Sequence, residues 1–296
     1  MVTAMKTDTD ISIRTMSPAE VDLAIEWAAC EGWNPGFDDA ACFRAADPEG
    51  FLMAFVDGEP AASLSAVRYG ETFGFIGLYI AAPPYRGRGI ALRLWQAGMA
   101  YLGDRFIGLD GVPERQRDYR RSGFGLAWRN VRYSGRVALA APDDPRLVPV
   151  EPDLLPALLD YDRRHFPAPR DRFLEAWLTQ TDTRRSWAFV EPEVGTGGGS
   201  GLVTGYGTVR QCRAGWKIGS LFADDAVRAD LLFRRLAAFA GMDPVILDLP
   251  EPNPAALDLA KGYGLCPVFE TARMYRGAAP TLPIDRIYGV TTFELG

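Results

Sequence analysis

The stretch YIAAPPYRGRGIALRLW (Tyr79–Trp95) decides the fold class of this 296-residue chain. It begins inside the apolar run FGFIGLYIA (Phe73–Ala81), which is typical of a buried strand, and it ends inside a segment with helical periodicity. The apolar face of that segment consists of Ala91, Leu94, Trp95, Gly98, Met99 and Leu102. A strand, a glycine-rich turn and an amphipathic helix in this order predict a mixed α/β fold.

The turn itself predicts a binding site for an anion. Arg86-Gly87-Arg88-Gly89 leads directly into Ile90 and Ala91, where the helix starts. Glycine allows a backbone to approach a ligand closely, and a helix N-terminus presents unpaired N–H groups with a partial positive charge. Together these features suit a pyrophosphate. The alternative interpretation is a tight, exposed turn without a ligand.

This combination resembles the acetyl-CoA loop of the GNAT superfamily of N-acetyltransferases, V-x-P-x-Y-R-G-x-G-x-[GA]. Ala81 stands at the valine position, and the matching residues are Pro83, Tyr85, Arg86, Gly87, Gly89 and Ala91. The resemblance implies that acetyl-CoA is the co-substrate and that Arg86 and the backbone of Gly87, Arg88, Gly89, Ile90, Ala91 and Leu92 hold its pyrophosphate. It also implies that Tyr79, Ile80 and Ala81 hydrogen-bond the pantetheine arm and the acetyl carbonyl.

A second motif follows at Tyr119–Phe124, where YRRSGF is similar to the family's Y-x-x-x-G-F. The resemblance implies that Tyr119 lies beside the CoA sulfur and protonates the departing thiolate, a role that a tyrosine O–H can fill as a general acid. An ordinary half-buried aromatic is the alternative. The nearby Arg115, Arg117, Arg120 and Arg121 are candidates for the CoA 3′-phosphate, although for at least two of them we favour an exposed helix face.

Two positions depart from the family pattern. Many relatives carry a glutamate on the strand before the loop, but Gly74–Leu78 contains no carboxylate, and Val112 stands where relatives often have asparagine. The segment CEGWNPGFDD (Cys30–Asp39) is similar to a signature of tandem-GNAT proteins and lies where the family builds its acceptor wall. It offers Glu31 as a base or ammonium ligand, with Trp33 and Asn34 shaping the acceptor pocket. A loop of turn residues that caps a helix is the alternative.

The second half of the chain repeats the first with a shift of 141 residues. Gly123-Phe124 becomes Gly264-Leu265, whereas Tyr119 becomes Ala260. Ala226–Asp230, preceded by two aspartates, replaces the glycine-rich loop and would repel a pyrophosphate. We therefore expect two tandem GNAT-like domains, each with a mixed, mostly antiparallel sheet flanked by helices. The predicted catalytic domain spans residues 11–137, a linker spans 138–146, and a degenerate domain spans 147–296.

Composition narrows the classes of partner and cofactor. Apolar residues make up 48% of the chain, and 32 Lys and Arg face 38 Asp and Glu, a net charge of −6 that argues against nucleic acid as a main partner. The cysteines (Cys30, Cys42, Cys212 and Cys266) form no CxxC and accompany a single histidine, so we expect no metal. The start MVTAMKTDTD shows no signal pattern and no apolar run could span a bilayer, which predicts a cytoplasmic protein without a membrane partner.

These observations predict an acetyl-CoA-dependent N-acyltransferase that acts on a primary amine of a small molecule. The acetyl group would pass directly from the thioester to the amine, and backbone N–H groups near Ile80 would stabilise the oxyanion. Two alternatives stay open: a non-catalytic acyl-CoA sensor or scaffold, and a protein or peptide N-acetyltransferase. A homodimer is possible.

Overall fold

A computed structural model describes residues 10–192 and 201–296. Residues 1–9, which make up most of the stretch MVTAMKTDTD, lie outside it. Within the described residues, thirteen strands form one sheet. The strands of the first half are β1 (Ile11–Thr15), β2 (Phe51–Val56), β3 (Glu59–Tyr69), β4 (Phe73–Ala81), β5 (Phe106–Gly111) and β6 (Phe124–Arg136). Those of the second half are β7 (Leu147–Pro149), β8 (Arg184–Glu191), β9 (Leu202–Gln211), β10 (Trp216–Ala223), β11 (Pro244–Pro250), β12 (Cys266–Arg276) and β13 (Ile287–Gly289).

Eight α-helices in the described residues flank this sheet. The first half contributes α1 (Pro18–Cys30), α2 (Asp39–Ala46), α3 (Ile90–Leu102) and α4 (Gln116–Arg121). The second half contributes α5 (Leu155–Asp162), α6 (Asp171–Leu178), α7 (Ala226–Ala237) and α8 (Pro254–Gly262). The pairs β4–β5 and β10–β11 are parallel, and each is joined by a crossover helix, α3 or α7, as a parallel pair requires. The other pairs are antiparallel, so the predicted mixed, mostly antiparallel architecture is confirmed.

The order of the strands shows that the two halves exchange strands. The sheet runs β1-β2-β3-β4-β5-β12-β6-β11-β10-β9-β8-β7, and β13 adds to β10. Strand β12 of the second half therefore lies between β5 and β6 of the first, with Arg273 opposite Asp110 and Thr271 opposite Asn130. Strand β6 in turn pairs with β11. The predicted linker at 138–146 contains no helix or strand, and the boundary there stays a prediction.

Helix α3 packs on the first-half sheet through the face that the sequence periodicity predicts. Ile90, Leu94, Trp95 and Leu102 are buried, and each such side chain contributes on the order of 1.5–3 kcal/mol to stability. Gly98 is also buried. A β-carbon there would overlap the Leu64 side chain on β3, so glycine allows the helix to approach the sheet closely. This close packing fixes the position of the helix N-terminus relative to the end of β4.

The opposite face of the sheet carries a core that both halves share. Phe73 and Phe75 of β4 belong to the same buried cluster as Tyr206 of β9 and Phe222 of β10. Helices α1, α2, α5 and α6 cover this cluster, and Trp177 of α6 stacks on Phe173 of the same helix at 5.1 Å. The first half is therefore built against the second on its helical face as well as along its sheet.

Buried ion pairs also join the two halves. Arg132 on β6 forms a bidentate pair with Asp248 on β11, at 2.6 and 2.8 Å. Burial alone would raise the pKa of Asp248, but the positive charges of Arg132 and Lys217 outweigh it and hold that pKa below its usual value. Such a pair is costly to break, since either partner alone would be an uncompensated buried charge.

Candidate active site

A cleft of about 740 Å³ opens where β4 and β5 diverge. In the described part of the chain, residues Phe73–Ile76 of β4 pair with Phe106–Leu109 of β5. Beyond these residues the two strands are not hydrogen-bonded to each other. Residues Gly77–Ala81 form one wall and residues near Val112 the other. Backbone groups of Tyr79 and Ile80 on the β5 side therefore have no partner on β5 and can meet a ligand that enters between the strands.

The end of β4 is shaped by a local irregularity of the strand. Leu78 has a φ of 47° and lies where the register between β3 and β4 shifts. The buried Ser63 hydroxyl donates to the Leu78 carbonyl at 2.8 Å and satisfies it. The bulge turns the following residues, Tyr79, Ile80 and Ala81, along the wall of the cleft, and these are the residues that the family resemblance predicts to contact the pantetheine arm.

The glycine-rich turn lies at one end of the cleft and adopts the backbone that its sequence predicts. Gly87 and Gly89 have φ values of 74° and 78°, the left-handed region that favours glycine. Space around both is open, so the backbone conformation rather than crowding requires glycine there. Gly89 precedes the first turn of α3, and among the described residues no side chain caps that turn. The N–H groups of this turn are therefore available to an anion beside the cleft.

Tyr119 also lines the cleft, where it belongs to an aromatic cluster. Its ring lies 5.6 Å from that of Trp95, which in turn lies 5.4 Å from that of Tyr79. A β-carbon at Gly111 would collide with the Tyr119 ring, so this glycine lets the ring rest on β5. Burial raises the pKa of Tyr119 well above its ordinary value, and the hydroxyl therefore stays protonated at neutral pH, as a proton donor must.

The structure brings most of the predicted site residues together. Those that line the cleft are Glu31, Trp33, Tyr79, Ile80, Ala81, Arg86, Gly87, Ala91, Leu92 and Tyr119. Arg88 and Gly89 lie outside its lining, with Arg88 placed over the Tyr85 ring, and Ile90 is buried in the core under α3. Asn34 also lies outside, because its side chain both accepts from and donates to the backbone of Ala214 at 2.9 Å.

Glu31 lies at the mouth of the cleft and is paired with Arg86 of the loop. The Arg86 guanidinium also donates to the Ala81 carbonyl at 2.9 Å, so it links the end of α1 to the end of β4. Glu31 is exposed, and its charge is already matched by an arginine. This arrangement suits positioning of the loop better than removal of a proton inside the cleft.

Two of the four predicted arginines reach the cleft. Arg115 and Arg121 line it, and both pair with Asp118, at 3.4 and 3.8 Å. Arg117 and Arg120 lie outside the lining and are exposed. This division matches the expectation that at least two of these side chains belong to an exposed helix face.

The second half supplies cleft residues that the sequence reasoning missed. Phe269 and Thr271 come from the exchanged strand β12, and Phe293 and Glu294 come from the residues after β13. The rings of Phe269 and Phe293 lie 6.2 Å apart, and the Arg132 guanidinium lies over both. The sequence contains one indication of this contact. Gly77 interrupts the apolar strand and leaves space beside it, although the sequence does not indicate which residue fills that space.

The equivalent region of the second half is closed. Strand β13 pairs with β10 at Leu221 and Phe222, beyond the point where β10 and β11 stop pairing, and Val290 N–H donates to the Asp248 carbonyl at 2.7 Å. The Asp225 carboxylate accepts from the Arg228 N–H at 2.9 Å and caps α7. Both the opening between the strands and the helix N-terminus are thus occupied by the chain itself.

Known proteins are similar to both halves of the chain. A model of the acetyltransferase (GNAT) family matches residues 21–124, and a model of an acetyltransferase (GNAT) domain matches residues 158–289. Holothin acyltransferase of Pseudoalteromonas sp. (strain SANK 73390) is 30% identical over 288 residues, which are 95% of this chain and 94% of that protein. The chain belongs to the GNAT family of acyltransferases.

Solved structures show the same fold at lower identity. A crystal structure from Pyrococcus horikoshii has a TM-score of 0.78 at 22% identity, covering 97% of this chain and 96% of that one. A tandem GNAT protein from the clavulanic acid biosynthesis pathway has a TM-score of 0.62 at 14% identity, covering 92% and 100%. The predicted tandem GNAT arrangement is therefore confirmed for this GNAT protein.

Three further observations concern metal ions, membranes and cysteines. Residues 10–192 and 201–296 contain no group of three or more His, Cys, Asp or Glu side chains that could hold a metal ion. None of the helices in that part of the chain is long and apolar enough to cross a membrane. All four cysteines are free thiols.

Proposed function

We propose that the protein is an acetyl-CoA-dependent N-acyltransferase that acts on a primary amine of a small molecule. The observation that carries this proposal is the convergence of three features on one cleft: the open wall after Leu78, the glycine-rich turn before α3, and the Tyr119 hydroxyl. The name of the 30% identical relative, holothin acyltransferase, supports acyl transfer as the reaction.

The residues around the cleft fit an acyl-CoA. The pyrophosphate would lie on the free N–H groups of the first turn of α3, reached over Gly87 and Gly89. The pantetheine arm would extend along Tyr79–Ala81 and pair with backbone groups that β5 leaves free. Bound in this way, acetyl-CoA supplies an activated acyl group, and the chain supplies the binding, the orientation and the proton transfers.

Tyr119 is the proton donor in this proposal. Tyr119 belongs to the cleft lining, and its raised pKa keeps the proton in place until a thiolate develops nearby. Backbone N–H groups near Ile80 would stabilise negative charge on the thioester oxygen.

Aromatic side chains favour a small acceptor with an apolar part. Trp33 from the first half and Phe269 and Phe293 from the second line the cleft together. Three rings around one site suit a compact, planar or apolar group carrying an amine better than a long polar chain. This favours an aromatic or otherwise apolar amine over a polyamine or an aminoglycoside.

Calorimetric titration with acetyl-CoA tests the cofactor part of the proposal. We expect one binding site per chain, and Gly87→Glu should weaken binding at least about tenfold, since its carboxylate would face the pyrophosphate. Gly103→Glu is the matched control, because Gly103 lies at the other end of α3 with a positive φ and open space. Two sites per chain, or equal binding by both variants, would contradict the assignment of the loop.

Turnover distinguishes the proposed reaction from its alternatives. Wild-type protein is incubated with acetyl-CoA and benzylamine, tryptamine, spermidine or a peptide with a free N-terminus, and acylated products are measured by mass spectrometry. Acylation of the aromatic amines is the expected result. Faster acylation of the peptide would favour a peptide acetyltransferase, and binding of acetyl-CoA without any product would favour a sensor.

A further inference from the structure

We propose that Glu294 is the general base that accepts the proton of the acceptor amine, an inference that rests on the proposed acyl transfer. Glu294 belongs to the segment 287–296, which begins with β13 on the second half and continues across to β4 of the first. It lies in the same cleft as Tyr119 although 175 positions separate them in sequence (294 − 119).

Glu294 supplies the carboxylate that β4 itself lacks. A β-carbon at residue 77 would overlap the carbonyl oxygen of Glu294. Glycine at position 77 therefore leaves the space that the Glu294 backbone occupies. The contact lies directly before Leu78, where the cleft opens. A carboxylate is therefore delivered to the middle of β4 from outside the strand.

The segment that carries Glu294 is held in one conformation. The Tyr69 hydroxyl donates to the Leu295 carbonyl at 3.0 Å, and the Leu295 N–H donates to the Thr292 hydroxyl at 2.9 Å. Residues 291–296 are all buried. A base that acts in a narrow cleft needs this kind of fixed placement, because a misplaced group cannot reach the proton.

The other carboxylates of the cleft already have ionic partners. Asp110 accepts from Arg273 at 2.6 and 3.0 Å and from Asn130 at 2.8 Å, and its side chain is fully buried. Glu31 and Asp118 are exposed and paired with arginines. Glu294 is 4% exposed, and no donor in the described part of the chain hydrogen-bonds its carboxylate. Its oxygens are thus available to an incoming N–H.

The surroundings of Glu294 adjust its basicity. Burial raises the pKa of its carboxyl group above the usual value, which strengthens it as a base near neutral pH. The charged groups that face it are Asp39 of α2, Arg132 of β6, Arg210 of β9 and Lys217 of β10, while Glu31 and Asp110 share the cleft with it. The three cations favour the ionised form, so the carboxylate is available despite its burial.

The proposed step balances protons and bonds. The amine nitrogen forms a bond to the thioester carbonyl carbon, and one N–H proton passes to the Glu294 carboxylate, directly or through one water. The carbon–sulfur bond then breaks, and the thiolate takes the Tyr119 proton. Transfer of a proton from the Glu294 carboxyl group back to the Tyr119 phenolate through solvent restores both residues.

The test compares Glu294→Gln with Glu175→Gln, which removes an exposed carboxylate on α6 outside the cleft lining. We expect Glu294→Gln to lower kcat/KM for tryptamine about 10²-fold and to move the acidic limb of its pH profile toward the pKa of the amine. In wild type that limb should lie above the usual glutamate value of about 4.3. Acetyl-CoA affinity should be unchanged, and Glu175→Gln should keep the wild-type profile.

A second variant, Glu294→Ala, distinguishes a general base at Glu294 from a residue with only a structural role. Glu294→Ala should regain activity when sodium formate is added, because formate can occupy the vacated space and accept the proton, whereas formate should not change the rate of the Glu175→Ala control. Glu294→Gln with the wild-type rate and acidic limb would overturn the inference, as would absence of formate rescue in a folded Glu294→Ala protein. Wild-type protein that binds acetyl-CoA but acylates no amine would instead contradict the proposed function itself.

Discussion

At the scale of single residues, Tyr119 combines the two properties that a proton donor needs. Its ring is held between Gly111 and Trp95, and burial keeps its pKa above the ordinary tyrosine value. Because the pKa is raised, ionisation of Tyr119 should cause no loss of activity below about pH 10. An alkaline limb below that pH would have to come from another group.

Tyr119→Phe removes the hydroxyl and keeps the ring. We predict that kcat falls about 10²-fold while acetyl-CoA affinity hardly changes, because packing against Trp95 is retained and only the proton is lost. Steady-state kinetics and calorimetry on the same preparation measure both quantities.

Tyr263→Phe is the matched control for this variant. Tyr263 lies near the equivalent place in the second half, where its hydroxyl bonds Asp230, and we expect its removal to leave kcat unchanged. Unchanged turnover in Tyr119→Phe would remove the assigned role, and equal losses in both variants would point to a general effect on stability.

Single residues also show what local sequence can and cannot reveal. The φ values of Gly87 and Gly89 follow from glycine chemistry, so the loop could be predicted from its spacing. Asn34 could not be placed in the same way: its partner Ala214 is 180 positions away, and no local pattern indicates that contact. Glu294 was missed for the same reason, since its neighbour Gly77 lies in the other half.

At the scale of elements, the segment 287–296 performs two tasks on two strands. Its first residues pair with β10 and close the second-half opening, and Gly219 of β10 leaves space there for Val290 and Thr291. Its later residues cross Gly77 of β4 and bring Phe293 and Glu294 into the open cleft. Two glycines on equivalent strands thus accommodate one segment.

Gly77→Ala tests this contact. A β-carbon at residue 77 would overlap the Glu294 carbonyl, so the segment must shift, and we predict a loss of about 1–3 kcal/mol in the free energy of unfolding together with a lower kcat. Urea denaturation and steady-state kinetics measure the two effects.

Gly262→Ala is the control for Gly77→Ala. Gly262 ends α8 with open space around it and an ordinary φ, so alanine should be tolerated there without loss of stability. If Gly77→Ala retained both stability and rate, the segment would not be fixed against β4 as described.

Helices and strands could be predicted from the sequence where their pattern is local. The apolar face of α3 indicated its packing, and the shift of 141 residues matched Gly123 to Gly264, which both have positive φ values. The exchange of β6 and β12 could not be predicted, because either strand can pair with several neighbours and the choice depends on the whole sheet.

At the scale of the whole molecule, the two halves complete each other. Strand β12 fills the space between β5 and β6, and Asp39 on α2 pairs with Arg184 and Arg210 of the second half at 3.3 and 3.0 Å. Lys217 donates to the Asn34 carbonyl at 2.9 Å and holds the segment that the sequence predicts to form the acceptor wall. The second half therefore contributes to the cleft of the first half, although the equivalent opening in the second half is closed.

Separate expression of the halves tests this dependence. We predict that residues 10–137 alone do not form a stable domain, because β5 and β6 would lack the strand between them and Phe73 and Phe75 would lose much of their core. Near-ultraviolet circular dichroism and acetyl-CoA titration measure folding and binding.

Co-expression of residues 10–137 with 138–296 is the matching experiment, and it should restore both properties if the exchanged strands assemble from two chains. A first half that folds alone and binds acetyl-CoA with full affinity would show that the exchange is dispensable.

The exchanged strand also determines when the protein can become active during synthesis. Strand β5 ends at Gly111 but its neighbour β12 starts only at Cys266, so at about 5–20 residues per second the ribosome needs roughly ten to thirty seconds to supply it. During that interval the nascent first half exposes two unpaired strand edges, which are sites for aggregation or for binding by chaperones. No nascent chain that ends before residues 287–296 has a complete cleft, and acyl transfer can begin only after the ribosome has released this segment.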